Sequence, residues 1–298
     1  TQGAYVHLEG ETAKVEMEGK VLLQTPLHHL GGIVTFGNVM ISPFLMHKCA
    51  SEGRTVSFLS MNGRFLARVV GPVSGNVLLR EAQYRAYSDE VSKAKMASSI
   101  VAGKIQNMRA VVLRAARETS DSNIKADLGK TAENLSSYLS KLRESSNVDE
   151  TMGFEGVATA DYFAVFDHMI LSQRTDFKFA TRNRRPPRDR MNCLLSFLYA
   201  LLLGDCTAAV EGVGLDPQFG FLHAIRSGKP ALSLDLMEEF RPVLVDRLAL
   251  NLVNRKQIKA EHMEIRPGGS VMLTDEGRKI LLTAYQKRKQ VEIGRAHV

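Results

Sequence analysis

The stretch GRFLARVVGPVSGNVLLREAQYRAYSDE, residues 63 to 90, contains the change of period on which the fold turns. Its first nine residues form a short β-branched and aromatic run between glycines, the pattern of a strand. GPVSGN, 71 to 76, then supplies the proline, glycines and serine of a connector. From Leu78 onward apolar residues recur about every 3.6 positions, as one face of a helix requires. A chain that switches period here has a strand-built part before the connector and a helix-built part after it.

Back toward residue 1, AYVHLEG, AKVEMEG, KVLLQTPL, GGIVTFG and RTVSFLS are further candidate strands separated by glycine-bearing turns. One helix interrupts them: Ser42 is placed to cap it, Pro43 fits its first position and Gly53 closes it. Forward from the connector, helical spacing holds over 78 to 116, 124 to 145, 154 to 172, 190 to 204, 217 to 227 and 234 to 253. The expected fold class is α+β, with a small N-terminal β-strand domain, 1–73, followed by a larger all-α C-terminal domain, 77–298.

The 298 residues carry a formal charge of +7. Between Arg174 and Arg190 seven basic residues meet two acidic ones, so most of the excess sits in one segment. Arg182, Arg184, Arg185 and Arg188 surround a Pro-Pro pair there. A proline-stiffened run of guanidinium groups suits phosphate oxygens, and a solvated charged loop is the plainer alternative. Cys49, Cys193 and Cys206 form no metal-ligand or redox motif and read as buried, reduced thiols of a cytoplasmic protein. CLLSFLYALLLG, 193 to 204, is shorter than a membrane span and reads as a buried helix, so no membrane association is expected. The final IGRAHV is what the sequencing-adapter string ATCGGAAGAGCACACGTC encodes, which points to a native C-terminus lost after about residue 292.

In GLDPQFGFLHAIRSGKPALSLDLMEEFRP, 214 to 242, Asp216 and Pro217 are read as starting a helix that Gly228 ends, with His223 midway along it. A second helix is expected from near Ser233, with Asp235 and Glu238 on one face, Arg241 three beyond and a kink at Pro242. Farther upstream, MGFEGVATADYF sets Glu155 at a helix start with Tyr162 two turns on along the same face. Taken singly, these residues are equally well explained as a satisfied histidine, dipole-complementing carboxylates and an ordinary Glu–Arg surface pair.

The co-ordered set GAYVHLEGE, PLHHLGGIVTFGNVMISP, EGVATADYF, RNRRPPRDRMNCLLSFLYALL and GLDPQFGFLHAIRSGKPALSLDLMEEFRP resembles the CRISPR-associated adaptation integrase and endonuclease family, in particular the variants of type I-C systems. The resemblance covers nearly the whole chain. It implies that Glu155, His223 and Glu238 are metal ligands for magnesium or manganese, with Asp235 as a further acidic residue of the catalytic site. It also implies a homodimer formed partly through the β domain. DNA, as spacer precursor and CRISPR repeat, would be substrate, and a second small CRISPR adaptation protein a partner. Tyr162, Arg182, Arg184, Arg185, Arg188 and Arg241 are then the candidate DNA contacts. Arg190 stands where the family pattern has proline, Cys193 where alanine is common, and Glu238 where some relatives have aspartate. Two rival readings are a non-catalytic dimeric scaffold for nucleic acid, which needs the arginines but not the three ligands, and a hydrolase of small phosphate esters, which needs the ligands but not the arginines.

Overall fold

The computed structural model describes residues 1–61, 63–71, 76–184 and 186–294. The expected connector lies outside them except for Gly71 and Asn76, as does Arg185. The chain divides into two compact units, Thr1–Val77 with Glu211–Leu215, and Leu78–Val210 with Asp216–Val298.

The first unit holds β1 (Tyr5–Glu9), β2 (Thr12–Met17), β3 (Lys20–Pro26), β4 (Gly32–Phe36), β5 (Met40–Ile41), α1 (Pro43–Ser51), β6 (Thr55–Leu59) and β7 (Phe65–Val69). They form a four-stranded sheet ordered β3-β2-β1-β5 and a three-stranded sheet ordered β4-β6-β7. β2 and β3 are joined by Glu18 and Gly19, both at positive φ (51° and 75°), the two-residue turn whose twist matches an antiparallel hairpin. β4 and β6 run parallel, which a hairpin cannot achieve, and α1 lies in the crossover between them. α1 starts as its sequence dictates, with Ser42 Oγ accepting from Leu45 N at 3.2 Å, and Gly53 follows it at φ +69°. Val6, Ala13, Leu27, Ile41, Leu45, Cys49 and Val56 make the core of this unit.

The second unit is built around a long helix. Its elements are α2 (Val77–Ser88), α3 (Glu90–Glu118), α4 (Ser122–Leu142), α5 (Val148–Ala164), α6 (Arg190–Gly212), α7 (Ala231–Phe240), a π-helical turn (Arg241–Asp246), α8 (Arg247–Asn254), β8 (Met263–Ile265), β9 (Val271–Leu273) and α9 (Asp275–Gly294). Asp89 separates α2 from α3 and caps the latter, its carboxylate accepting from Ser92 N at 3.1 Å. Asp121 and Asn147 cap α4 and α5 in the same way, each such cap stabilising its helix by about 1 kcal/mol. α3 packs against α4, α5, α7 and the π turn through a stripe including Ala97, Val101, Ile105, Met108 and Val112. α6 is long and apolar enough to cross a bilayer by length and composition, yet half of its most apolar window is buried inside the protein, as in a core helix. Cys49, Cys193 and Cys206 are free and buried.

Two expectations need correction. The C-terminal part is not all-α, because β8 and β9 form a hairpin through Gly268 and Gly269 at positive φ. Three-residue strands are too short to display a period of two. Residues 217–227 form turns and bends instead of a helix, while α7 begins at Ala231, close to the start expected near Ser233. The reason lies in the site itself.

Candidate active site

Asp235, fully buried on α7, takes the backbone donors that a helix at 217–227 would have used internally. Its Oδ2 accepts from Phe221 N at 2.5 Å and Leu222 N at 2.9 Å, and its Oδ1 from His223 N at 2.9 Å. Three consecutive N–H groups pointing at one carboxylate cannot also bond carbonyls four residues back. Gly220 permits the approach, since a Cβ there would lie 2.6 Å from the Ala231 carbonyl carbon and 2.7 Å from Asp235 Oδ2. Upstream, the buried Gln83 holds the segment as a strand partner would: Nε2 donates to Asp216 O and Phe219 O, both at 2.9 Å, and Oε1 accepts from Asp216 N at 2.8 Å.

The same Asp235 Oδ1 lies 2.7 Å from His223 Nδ1. A carboxylate only accepts, so Nδ1 carries a proton, and in the neutral ring the lone pair is left on Nε2. The imidazole is about three-quarters buried.

Two further carboxylates meet on one ammonium. Lys104 Nζ on α3, almost wholly buried, pairs with Glu155 Oε1 on α5 and lies 2.6 Å from Glu238 Oε2 on α7, an ion pair off the angle of a hydrogen bond. Thr159, one turn beyond Glu155, donates to its Oε1 at 2.9 Å. α3 and α7 are brought together by neighbours of Lys104. Gly103 leaves room where a Cβ would sit 2.9 Å from the Glu239 side chain, and Asn107 Nδ2 donates to Glu239 O at 2.7 Å. Arg241 pairs with the other oxygen of Glu238. Burial pushes the Glu238 carboxyl up, but the charges of Arg241 and Lys104, with His223 also near, together hold it below the usual carboxylate range.

Glu155 and Glu238 therefore come together from α5 and α7 on Lys104, and His223, in the loop before α7 with Asp235 behind it as support, lies near enough to Glu238 for its charge to be felt there. The sequence reading missed Lys104. Its signal was a cation in the apolar stripe of α3, three after Val101 and four before Met108. Two carboxylates sharing one cation, with an imidazole near one of them, are donor types that suit magnesium or manganese. As arranged, no three His, Cys, Asp or Glu side chains among the described residues stand at ligating spacing, and the ammonium of Lys104 lies between the carboxylates.

The candidate DNA contacts divide. Tyr162 is corrected: it is fully buried, with its hydroxyl on Asp246 Oδ2 at 3.1 Å, so no base can stack on it. Tyr199 donates to Asp246 Oδ1 at 2.5 Å, and the Arg182 and Arg241 guanidiniums lie 5.3 Å and 5.1 Å from the Tyr199 ring centre. Burial raises the Asp246 carboxyl to about 6 against the opposing hydrogen bonds of both tyrosines. Arg182 is half-buried and donates to Asn183 O, to Asn192 Oδ1 at 2.6 Å and to Ser196 Oγ at 3.1 Å, so it ties the residues just before α6 to that helix. Arg241 is committed to Glu238. Arg184 and Arg188 are exposed, on a segment tied down by the buried Asn192, whose Nδ2 donates to Thr181 O at 2.8 Å and Asp189 Oδ2 at 2.6 Å.

These features define a two-unit α+β protein whose basic helical unit gathers two carboxylates and an imidazole from three elements. The chain belongs to the family described as CRISPR associated protein Cas1, whose family model matches residues 1–287. It is 53% identical over 293 residues to a CRISPR-associated endonuclease Cas1 of Moorella thermoacetica, covering 98% of this chain and 85% of that relative. The solved CAS1 protein from Thermotoga maritima matches with a TM-score of 0.82 at 27% identity, over 96% of this chain and 87% of its own. A casposase bound to integration product shares the fold, with a TM-score of 0.79 at 20% identity, over 96% of this chain and 80% of the casposase.

Proposed function

We propose that the protein is a metal-dependent DNA endonuclease and integrase of CRISPR adaptation. It would insert foreign DNA fragments into the CRISPR array by attack of a fragment 3′-hydroxyl on a phosphodiester at the repeat boundary. The observation that carries this reading is the meeting of Glu155 and Glu238 on one cation, with the His223 imidazole near Glu238. Glu155, Glu238 and His223 would hold magnesium or manganese, which supplies charge neutralisation at the phosphate and at the attacking and leaving oxygens. Asp235 orients the His223 ring and fixes which nitrogen faces the site. Arg184 and Arg188 offer exposed guanidiniums to DNA phosphates, with Arg188 N held by Asn183 Oδ1 at 2.8 Å. Cleavage, named for the Moorella thermoacetica relative, is the same displacement with water as the nucleophile.

The partners that follow are DNA, a second copy of the chain and a second small adaptation protein, in the cytoplasm. The β-strand unit leaves Leu22, Leu23, Phe44, Phe65 and Leu66 about half or more exposed, which supports it as a site of self-association.

The test is metal-dependent strand transfer of a labelled DNA fragment into a repeat-bearing plasmid. Glu155→Gln and His223→Ala should each lower the rate at least about a hundredfold while DNA affinity stays within about threefold. Transfer at the wild-type rate in either variant would remove that residue from the site, and DNA binding without metal-dependent transfer by the wild type would establish the non-catalytic scaffold instead.

A further inference from the structure

We infer that Lys104 is a built-in counter-cation of this site, a positioning residue that holds the Glu155 and Glu238 carboxylates together and must give up its place for a divalent cation to bind between them. The inference rests on the metal-binding reading above and adds a competitor from the protein's own chain.

The geometry is specific. A lysine almost wholly removed from water is rare unless its charge is matched, and here it is matched twice over, by carboxylates from two different helices. Both contacts are to oxygens of the groups that would ligate the metal, so an ammonium and a divalent cation cannot occupy that point together. The lysine is also held where it is. Gly103 and Asn107, on either side of Lys104, fit α3 closely to α7 at Glu239, the neighbour of Glu238. Arg241 differs, since it approaches Glu238 from the other oxygen and does not bridge to Glu155. Loading the site is thus an exchange of cations, not the filling of a bare acidic hole, and that keeps the two carboxylates from repelling one another before metal arrives.

Removing the competitor has an effect of unusual sign. Lys104→Met and Lys104→Gln should lower the thermal midpoint of the metal-free protein, because two facing carboxylates lose their shared cation. The same variants should bind Mn2+ at least about tenfold more tightly than wild type, since one positive charge has left the site. A residue with only a packing role would weaken metal binding when lost, so tightening separates the two cases. The experiment is calorimetric titration of the full chain with MnCl2, alongside melting curves with and without Mn2+, for wild type, Lys104→Met, Lys104→Gln and Glu155→Gln. A Lys104→Met protein that folds only when Mn2+ is supplied gives the expected result in stronger form, and Lys104→Gln reports affinity if the methionine variant cannot be recovered. Wild type that binds Mn2+ through Glu155, with neither Lys104 variant binding tighter, overturns the counter-cation role and leaves the metal site intact. Absence of Mn2+ binding in every variant overturns the metal site and the counter-cation role with it.

Discussion

At residue 235 one buried carboxylate accepts three consecutive backbone N–H groups and an imidazole N–H, so its loss strands four donors at once. Asp235→Ala should cost about 3–5 kcal/mol in urea unfolding, well beyond an ordinary surface substitution. Gly220→Ala forces a methyl against the Ala231 backbone and the same carboxylate, and should cost about 1–3 kcal/mol. Unfolding curves that superpose on wild type for either variant would mean that the Asp235 cradle does not hold this loop. His223, Asp235, Glu238 and Glu155 were legible as side chains in the sequence through their order along a familiar set of motifs. The helix expected at 217–227 was not reliable, although Asp216, Pro217 and Gly228 all signal one. The acceptor that defeats it lies 12 to 14 residues downstream, outside any local window.

Among the elements, the π-helical turn at Arg241–Asp246 shows what the proline could and could not announce. Pro242 lacks the N–H that would bond Glu238 O, so an irregularity there was expected; that it is a wide turn setting Arg241 on Glu238 and Asp246 beneath two tyrosines was not. Because burial raises the folded-state Asp246 carboxyl to about 6, the native protein binds the extra proton between about pH 4 and pH 6 while the unfolded chain has released it. Stability from this group is therefore highest at the acid end of that window and falls as pH rises through it, by up to about 3 kcal/mol. In Asp246→Asn this contribution should vanish, so the stability difference between variant and wild type should move in favour of the variant from pH 4 to pH 6. A difference that stays flat across that window excludes the shift. The connector before α6 makes a separate prediction. Arg184→Ala with Arg188→Ala should weaken binding to unrelated DNA duplexes alike and flatten the slope of log affinity against log salt by up to about two units. Arg182→Ala should instead lower stability, because its guanidinium serves Asn192 and Ser196. An unchanged salt slope in the double variant would leave the two exposed arginines as a solvated loop.

For the whole molecule, the apolar residues that the β-strand unit leaves in water should be the ones a second copy covers. Phe65→Asp combined with Leu66→Asp should convert a dimer at micromolar concentration to a monomer in sedimentation, with circular dichroism unchanged; a variant that still sediments as wild type places the interface elsewhere. The sequence by itself determined the strand-built first part, the helix-built second part and the Ser42 cap of α1, because period, capping residues and glycine positions act over a few residues. It also determined that a basic connector precedes the apolar helix α6. Only the tertiary structure decided that Lys104 stands between Glu155 and Glu238, that Tyr162 is sealed against Asp246, and that Asp235 replaces a helix with a cradle. Lys104 and Glu155 are 51 positions apart and Tyr162 and Asp246 are 84 apart, so no local pattern links them. A buried charge must find a partner wherever packing puts one, and which partner that is depends on how α3, α5 and α7 cross, a property no single segment carries.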